Sequence, residues 1–249
     1  METIFKHRSI RQFKDKSINS KLLENIITAG TRASTTGNMQ LYSVIVTTDT
    51  ILKNRLWEAH FKQNMVKQAP VILTFCADFN RFTKWCQLRQ ANPEYDNFLS
   101  FFTAAIDALL VAQNVVLAAE HNGLGICYLG TTTYMAEQII DILKLPKLVV
   151  PVTTVVIGYP NENPPLTDRL AVDAVVHNET YTDYSMEKIN TLFSPKEAME
   201  FYKNFLKENN KETLAQVFTD VRYTGKDNRF FSKEFLKVIT KQGFMNNDI

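Results

Sequence analysis

The chain has 249 residues, 45% of them hydrophobic and 22% charged, and its 28 basic against 26 acidic side chains leave a formal net charge of +2. That length suits one large domain or two small ones, and so even a balance gives no reason to expect a nucleic-acid or anionic membrane partner. Its three cysteines, Cys76, Cys86 and Cys127, are odd in number and far apart. They exclude a disulfide framework and fit a reducing cytoplasm.

The start, METIFKHRSIR, places charges where a signal peptide needs an apolar run. Within it, "HRSIRQF" (7–13) packs a histidine, two arginines and a serine into seven positions. On a helix His7 and Arg11 would share a face, with Arg8 and Arg11 also in reach. Two readings are open: a solvated basic turn, or an anion clamp, since guanidinium forks match phosphates and anionic rings. Asn19 or Ser20 then caps a helix bearing Leu22, Leu23, Ile26 and Ile27, which ends near Gly30. "TRASTTGNMQLYS" (31–43) is small and polar and reads as a loop. "YSVIVTT" (42–48) is a β-branched strand, "ILKNRLWEAHF" a helix, and "APVILTFCADF" (69–79) a second strand. A helix follows to about Ala91, where Asn92-Pro93 breaks it.

"FFTAAIDALLVAQNVVLAAEHNGLG" (101–125) is the strongest helix, apolar around nearly its whole circumference, and so central or shared with another subunit. Its apolar stretch, Ala104 to Ala119, is interrupted by Asp107, Gln113 and Asn114 and is too short to span a bilayer. Gly123 and Gly125 read as a helix stop and tight turn. "ICYLG" (126–130) is a short strand, "YMAEQIIDILKL" a helix closed by Pro146, and "VTTVVIGYP" (152–160) a long strand. The proline-rich 161–177 stretch is extended, and the chain beyond Met186 is helical and more charged. Alternating strands and helices up to residue 160 imply an α/β or α+β core with a helical C-terminal extension.

Catalytic motifs are chiefly excluded. "GLGICYLG" (123–130) runs helix, glycines, strand, the reverse of a dinucleotide fingerprint. There is no phosphate-binding GxxxxGK[ST] loop and no GxSxG elbow, and His7, His60, His121 and His177 show no zinc-ligand spacing. Cys76 lies inside an apolar strand and reads as core. Gly130, at a strand end, could admit a ligand to backbone N–H groups. Scattered donors without a nucleophile or metal cluster suit a protein whose cofactor carries the chemistry.

Together "HRSIRQF", "CADFNR" (76–81), "AQNVVLAAEHNGLGICYLG", "LKLPKLVVPVTTVVIGYPNENPPLTDRL" (143–170) and "KQGF" (241–244) resemble, in order, the motifs of FMN-dependent nitroreductases. The likeness is to the oxygen-insensitive NADPH-dependent nitroreductase and NADPH–flavin oxidoreductase subgroup. It implies an α+β fold, a three-layer α-β-α sandwich with a mainly antiparallel central sheet, with residues 1–180 as the FMN-binding core and 181–249 as the helical C-terminal extension. It further implies a cytoplasmic homodimer with FMN at the subunit interface. The expected reaction is ping-pong: NAD(P)H reduces the flavin and leaves, and a nitroaromatic, quinone or flavin acceptor takes two electrons.

By the same resemblance, His7, Arg8, Ser9 and Arg11 form the N-terminal FMN motif, and Thr35 lies in an FMN loop. Gln63 is expected to read the polar end of the ring, while Tyr128, Leu129, Gly130 and Thr131 run along it. Arg169 would bind the phosphate; the alternative for it is a surface pair with Asp168. Lys226, Arg229 and Phe231 would wall the acceptor pocket, or serve as surface charge and core packing. Three departures stand out. Thr167 replaces a phosphate-binding lysine, Thr131 replaces a second glycine, and Phe205 stands where an arginine for the NADPH 2′-phosphate is expected. Lys207 or Lys211 could substitute for that arginine. The reductant is therefore NADPH or NADH, and the alternative is a flavin-binding module of the same fold with altered reductant use.

Overall fold

β-Branched runs build one four-stranded sheet. Its strands are β1 (Tyr42–Thr47), β2 (Val71–Asp78), β3 (Gly125–Leu129) and β4 (Val149–Gly158), ordered β1-β2-β4-β3 with every neighbouring pair antiparallel. β2 is buried at every position, as expected of a strand covered on both faces. Its register with β4 shifts between Phe75 and Cys76, where Cys76 faces Pro151. A bulge accommodates a proline that cannot donate to the ladder.

This computed structural model describes residues 1–246. The described residues form eleven α-helices: α1 (Glu2–Phe5), α2 (Ser20–Gly30), α3 (Thr50–Ala59), α4 (Asn64–Gln68), α5 (Asn80–Leu88), α6 (Phe98–His121), α7 (Ala136–Leu143), α8 (Met186–Glu197), α9 (Glu200–Glu208), α10 (Leu214–Gln216) and α11 (Gly225–Gln242). Contacts divide the chain into two compact units, residues 1–165 with the chain from Phe231 onward, and residues 166–230. The sequence-based division instead separates 1–180 from 181–249.

Period-2 alternation sorts the strand side chains into layers. Leu73, Phe75, Ile126, Val155 and Ile157 pack on one face against Ile26 of α2 and Val111, Val115 and Val116 of α6. Ile72, Cys127, Leu129 and Val156 pack on the other against Leu56 of α3, Val66 of α4, and Ile139 and Ile142 of α7. This is the expected α-β-α sandwich. Local chemistry sets the helix starts: Asn19 accepts from the Lys21 and Leu22 amides, Asp49 from Leu52, and Asn97 from Ser100.

A third apolar cluster joins Leu41, Phe79, Phe101, Ile239 and Phe244. The closing "KQGF" is therefore structural. Gln242 Nε2 donates to the carbonyls of Pro146 at 2.9 Å and Val149 at 2.6 Å, while the Leu148 amide donates to the Gln242 carbonyl. "CADFNR" is structural too. Asp78 accepts from the Ser43 hydroxyl, and Arg81 donates to the carbonyls of Tyr42 and Gln40.

Two expectations change, and one conformation left open by the sequence is fixed. The 7–13 segment is extended rather than helical, bridging in parallel through Ser9 to Ile126 and in antiparallel through Phe13 to Pro160. Gly125 is no tight turn: it opens β3, where Ile10 packs so closely that a Cβ would come within 2.6 Å of its side chain. α6 begins at Phe98, and its 24 residues are long and apolar enough to cross a membrane by length and composition, yet half of that window is buried in the fold.

Candidate functional site

The N-terminal segment lies along edge strand β3 because the Ile10 amide donates to the Ile126 carbonyl at 2.8 Å. From the other side the 161–164 stretch holds it. Glu162 accepts from the amides of Arg11 and Gln12, and the Asn161 amide donates to the Gln12 carbonyl. Sequence reading missed Glu162, because a lone acid in a proline-rich stretch carries no periodic signal.

The extended backbone gives the four motif residues different environments. Ser9 is half-buried at the bridge. His7 Nδ1 lies 2.7 Å from Glu120 Oε1, near the end of α6. Arg8 donates to Asn163 Oδ1 at 2.6 Å and to the Pro164 carbonyl at 3.0 Å. It lines a cavity of about 590 Å³ at the start of β3, together with Glu120 and Glu162. Arg11 is exposed, and its guanidinium holds no hydrogen bond or ion pair among the described residues. Its charge reaches Cys127, tempering the upward push that burial exerts on that thiol. Arg11 is thus a cation at the edge of β3 with its fork free to accept an anion.

Thr35 is half-buried, and its carbonyl accepts from the Asn38 amide in a short turn. Fully buried Asp107 anchors the next residues, accepting from the Thr36 amide at 2.9 Å, the Thr36 hydroxyl at 3.2 Å and the Leu41 amide at 3.1 Å. The signal for Asp107 was present: an acid in the middle of the most apolar helix must have buried donors to satisfy it. In the sequence it reads only as an interruption of an apolar stretch.

At the far end of β3, Leu129 is core and Gly130 is exposed. A Cβ on Gly130 would meet no atom within 4 Å, so the backbone there faces open space. Tyr128 donates to Gln113 Oε1 at 3.3 Å, and burial, with the Glu120 charge adding to it, pushes its phenol up to about 12. Thr131 is nearly buried. Its Oγ1 lies 2.7 Å from His60 Nδ1 and 3.5 Å from Gln63 Nε2. The Gln63 amide also donates to the His60 carbonyl at 3.1 Å, leaving its own carbonyl oxygen without a donor among the described residues.

Phe61 and Lys62, between His60 and Gln63, are both left-handed, with φ of 54° and 57°. Two consecutive non-glycine residues in that region store strain, which surrounding contacts must hold. Phe231 stacks on Tyr134 at 4.4 Å and lies 6.4 Å from Phe61. Phe61 directly follows His60 in the chain and Tyr134 lies three residues after Thr131, while Phe231 comes from α11.

The remaining expected residues lie in the second unit and are described within it. Arg169 donates to the backbone carbonyls of Asp168 at 2.8 Å and Thr167 at 3.3 Å. It makes no pair with the Asp168 carboxylate, which is taken by Tyr202 at 2.6 Å and Lys196 at 3.1 Å and is held below its usual range chiefly by the Tyr202 hydroxyl. Lys226 and Arg229 are exposed on α11. Lys207 and Lys211 line a groove of about 610 Å³ with Lys203.

The sequence profile of the Nitroreductase family matches residues 4–159. The oxygen-insensitive NADPH nitroreductase of Salmonella typhimurium is 33% identical over 98% of this chain and 97% of its own. The FMN reductase [NAD(P)H] of Bacillus subtilis is 32% identical over 98% and 97%. A solved chain from Bacteroides fragilis is 55% identical, covers 99% of this chain and 100% of that one, and superposes with a TM-score of 0.98. With a profile match across more than half its length and a relative at 33% identity along almost all of it, the chain belongs to the nitroreductase family.

Proposed function

We propose that this protein is an FMN-dependent NAD(P)H oxidoreductase of the nitroreductase and flavin-reductase type. The observation that carries this reading is the set of groups along β3. It comprises the free Arg11 guanidinium, the open backbone at Gly130, and the Gln63 carbonyl oxygen beside Thr131. A flavin mononucleotide needs a cation for an anionic group, an acceptor for a ring N–H, and space against a backbone, and these residues supply all three. When bound, FMN supplies two-electron chemistry, taking a hydride from NAD(P)H and passing two electrons to a nitroaromatic, quinone or flavin acceptor in ping-pong fashion.

The chain's own residues bind and tune. Arg11 would place a positive charge beside an anionic group of the bound cofactor, its fork having no other partner to give up among the described residues. Tyr128 stays a neutral phenol at neutral pH, fixed to Gln113. Phe61, Tyr134 and Phe231 offer flat apolar surface to a planar acceptor. The phosphate role of Arg169, and the part of Lys226 and Arg229 in acceptor binding, stay with this proposal, as does a contribution of Lys207 or Lys211 to an NADPH 2′-phosphate.

The protein acts as a homodimer, a reading supported by the exposed apolar residues Leu99, Phe102, Ile106 and Leu109 along α6. Buried free cysteines suit a soluble protein in the reducing cytoplasm. The decisive experiment is an anaerobic titration. Protein loaded with FMN is yellow, and NADPH or NADH bleaches it rapidly; comparing the two rates gives the preferred reductant. A colourless protein that fails to take up FMN overturns the reading, whereas a yellow one that neither nucleotide bleaches favours the flavin-binding module.

A further inference from the structure

His60 lies at the end of α3 with none of its surface exposed, and it reaches across 71 positions of sequence to Thr131. Burial alone drives its pKa down to about 4, so at neutral pH the ring is uncharged and carries a single N–H. Nδ1 faces Thr131 Oγ1 at 2.7 Å, and Nε2 is buried without a partner among the described residues. Placing the proton on Nε2 would orphan a buried N–H, which proteins avoid more strictly than an unpaired acceptor lone pair. The proton therefore sits on Nδ1 and is donated to Thr131 Oγ1.

The consequence falls on Thr131. Its oxygen accepts from His60 Nδ1 and, at 3.5 Å, from the Gln63 amide. Its own hydroxyl proton is then left to donate elsewhere. Gln63 is tied back to the His60 carbonyl at 3.1 Å, and the left-handed Phe61–Lys62 pair folds residue 63 back toward residue 60. Residue 60 thus holds two polar groups belonging to two separate segments, Thr131 through its ring and Gln63 through its backbone carbonyl.

We infer that His60 is a positioning residue that locks the Thr131 hydroxyl and the Gln63 amide into one rigid edge of the flavin site, with Thr131 oriented as a hydrogen-bond donor to the ring. The inference rests on the proposed FMN site. His60 itself, fully enclosed, touches neither flavin nor substrate and acts through its two neighbours.

The test is an FMN titration of apoprotein, read by quenching of flavin fluorescence and by the visible absorption band of the bound flavin. Thr131→Val keeps volume and removes the contact, and His60→Phe removes it while keeping a planar ring in the site. Each is expected to weaken FMN binding about tenfold, the size of one well-formed buried hydrogen bond, and to shift the absorption band in the same direction. The double variant is expected to lose no more than either single one, because both break one coupled unit. His60→Gln, which retains a donor for Thr131, is expected to restore near-wild-type affinity.

Unchanged affinity in Thr131→Val, or losses that add in the double variant, would overturn the inference. Should His60→Phe fail to fold, Thr131→Val and His60→Gln decide the matter between them. Wild-type protein that takes up no FMN overturns the cofactor reading itself, an outcome distinct from wild-type binding that is insensitive to Thr131.

Discussion

Arg8 and Arg11 stand three positions apart in one motif and have different surroundings. Arg8 is fastened to Asn163 and Pro164, so removing it loosens the segment that carries the motif. Arg11 keeps its fork free, so removing it costs the fold little and the proposed anion site much. Arg11→Ala is expected to weaken FMN binding on the order of tenfold or more, whereas Arg89→Ala, an exposed control beyond α5, leaves it unchanged; equilibrium dialysis of FMN against both variants checks the contrast. His60 has a second effect at this scale. Its folded-state pKa of about 4 lies below its ordinary 6.5, so between those values the unfolded chain binds a proton that the folded chain refuses. Stability is full above about pH 6.5 and falls as acid approaches the folded value. From about pH 7 to about pH 5 this one group is expected to cost about 2 kcal/mol. Urea unfolding at both pH values, on wild type and His60→Gln, reads it directly: the variant loses that part of the slope.

At the scale of elements, α6 carries two apolar faces with different fates. Val111, Val115 and Val116 fill the core beneath the sheet, while Leu99, Phe102, Ile106 and Leu109 recur at three- and four-residue spacing and stay exposed. A helix apolar all round in a protein whose sheet covers only one side of it leaves an exposed stripe, the surface assigned to a second copy in the proposed homodimer. Phe102→Glu combined with Ile106→Glu is expected to reduce the solution mass from twice 28.6 kDa to 28.6 kDa. Light scattering after size exclusion measures it, and an unchanged dimer would remove α6 from the interface. The extent of α6 also shows where sequence reading stopped short. Its periodicity was plain from Phe101, but it starts at Phe98, behind the Asn97 cap whose bond to Ser100 is a short-range detail that a hydrophobic pattern does not carry.

For the whole molecule, the layered α+β architecture was legible because β-branched runs and amphipathic helices alternate cleanly up to residue 160. The strand order β1-β2-β4-β3 was not, since antiparallel partners are chosen by tertiary packing and β4 lies between strands that precede it in the chain. The site divides along the same line. Arg11, Gln63, Gly130 and Thr131 were nominated from motif resemblance and stay with the proposed FMN site, whereas His60, Asp107 and Glu162 were not nominated. Their roles depend on partners 71, 71 and 151 positions away, distances at which local pattern is silent. The conformation of "HRSIRQF" was left open by the sequence for a related reason. Seven residues with mixed propensity take the conformation that edge strand β3 offers them.

Phe244 and Gln242 belong to the same compact unit as β1 to β4, although residues 166–230 intervene. Synthesis from the N-terminus delivers the sheet well before Phe244, which belongs to the third apolar cluster. Phe79 and Phe101 therefore each lack one of their aromatic neighbours until Phe244 has emerged, so emergence of the last strand does not by itself complete the core.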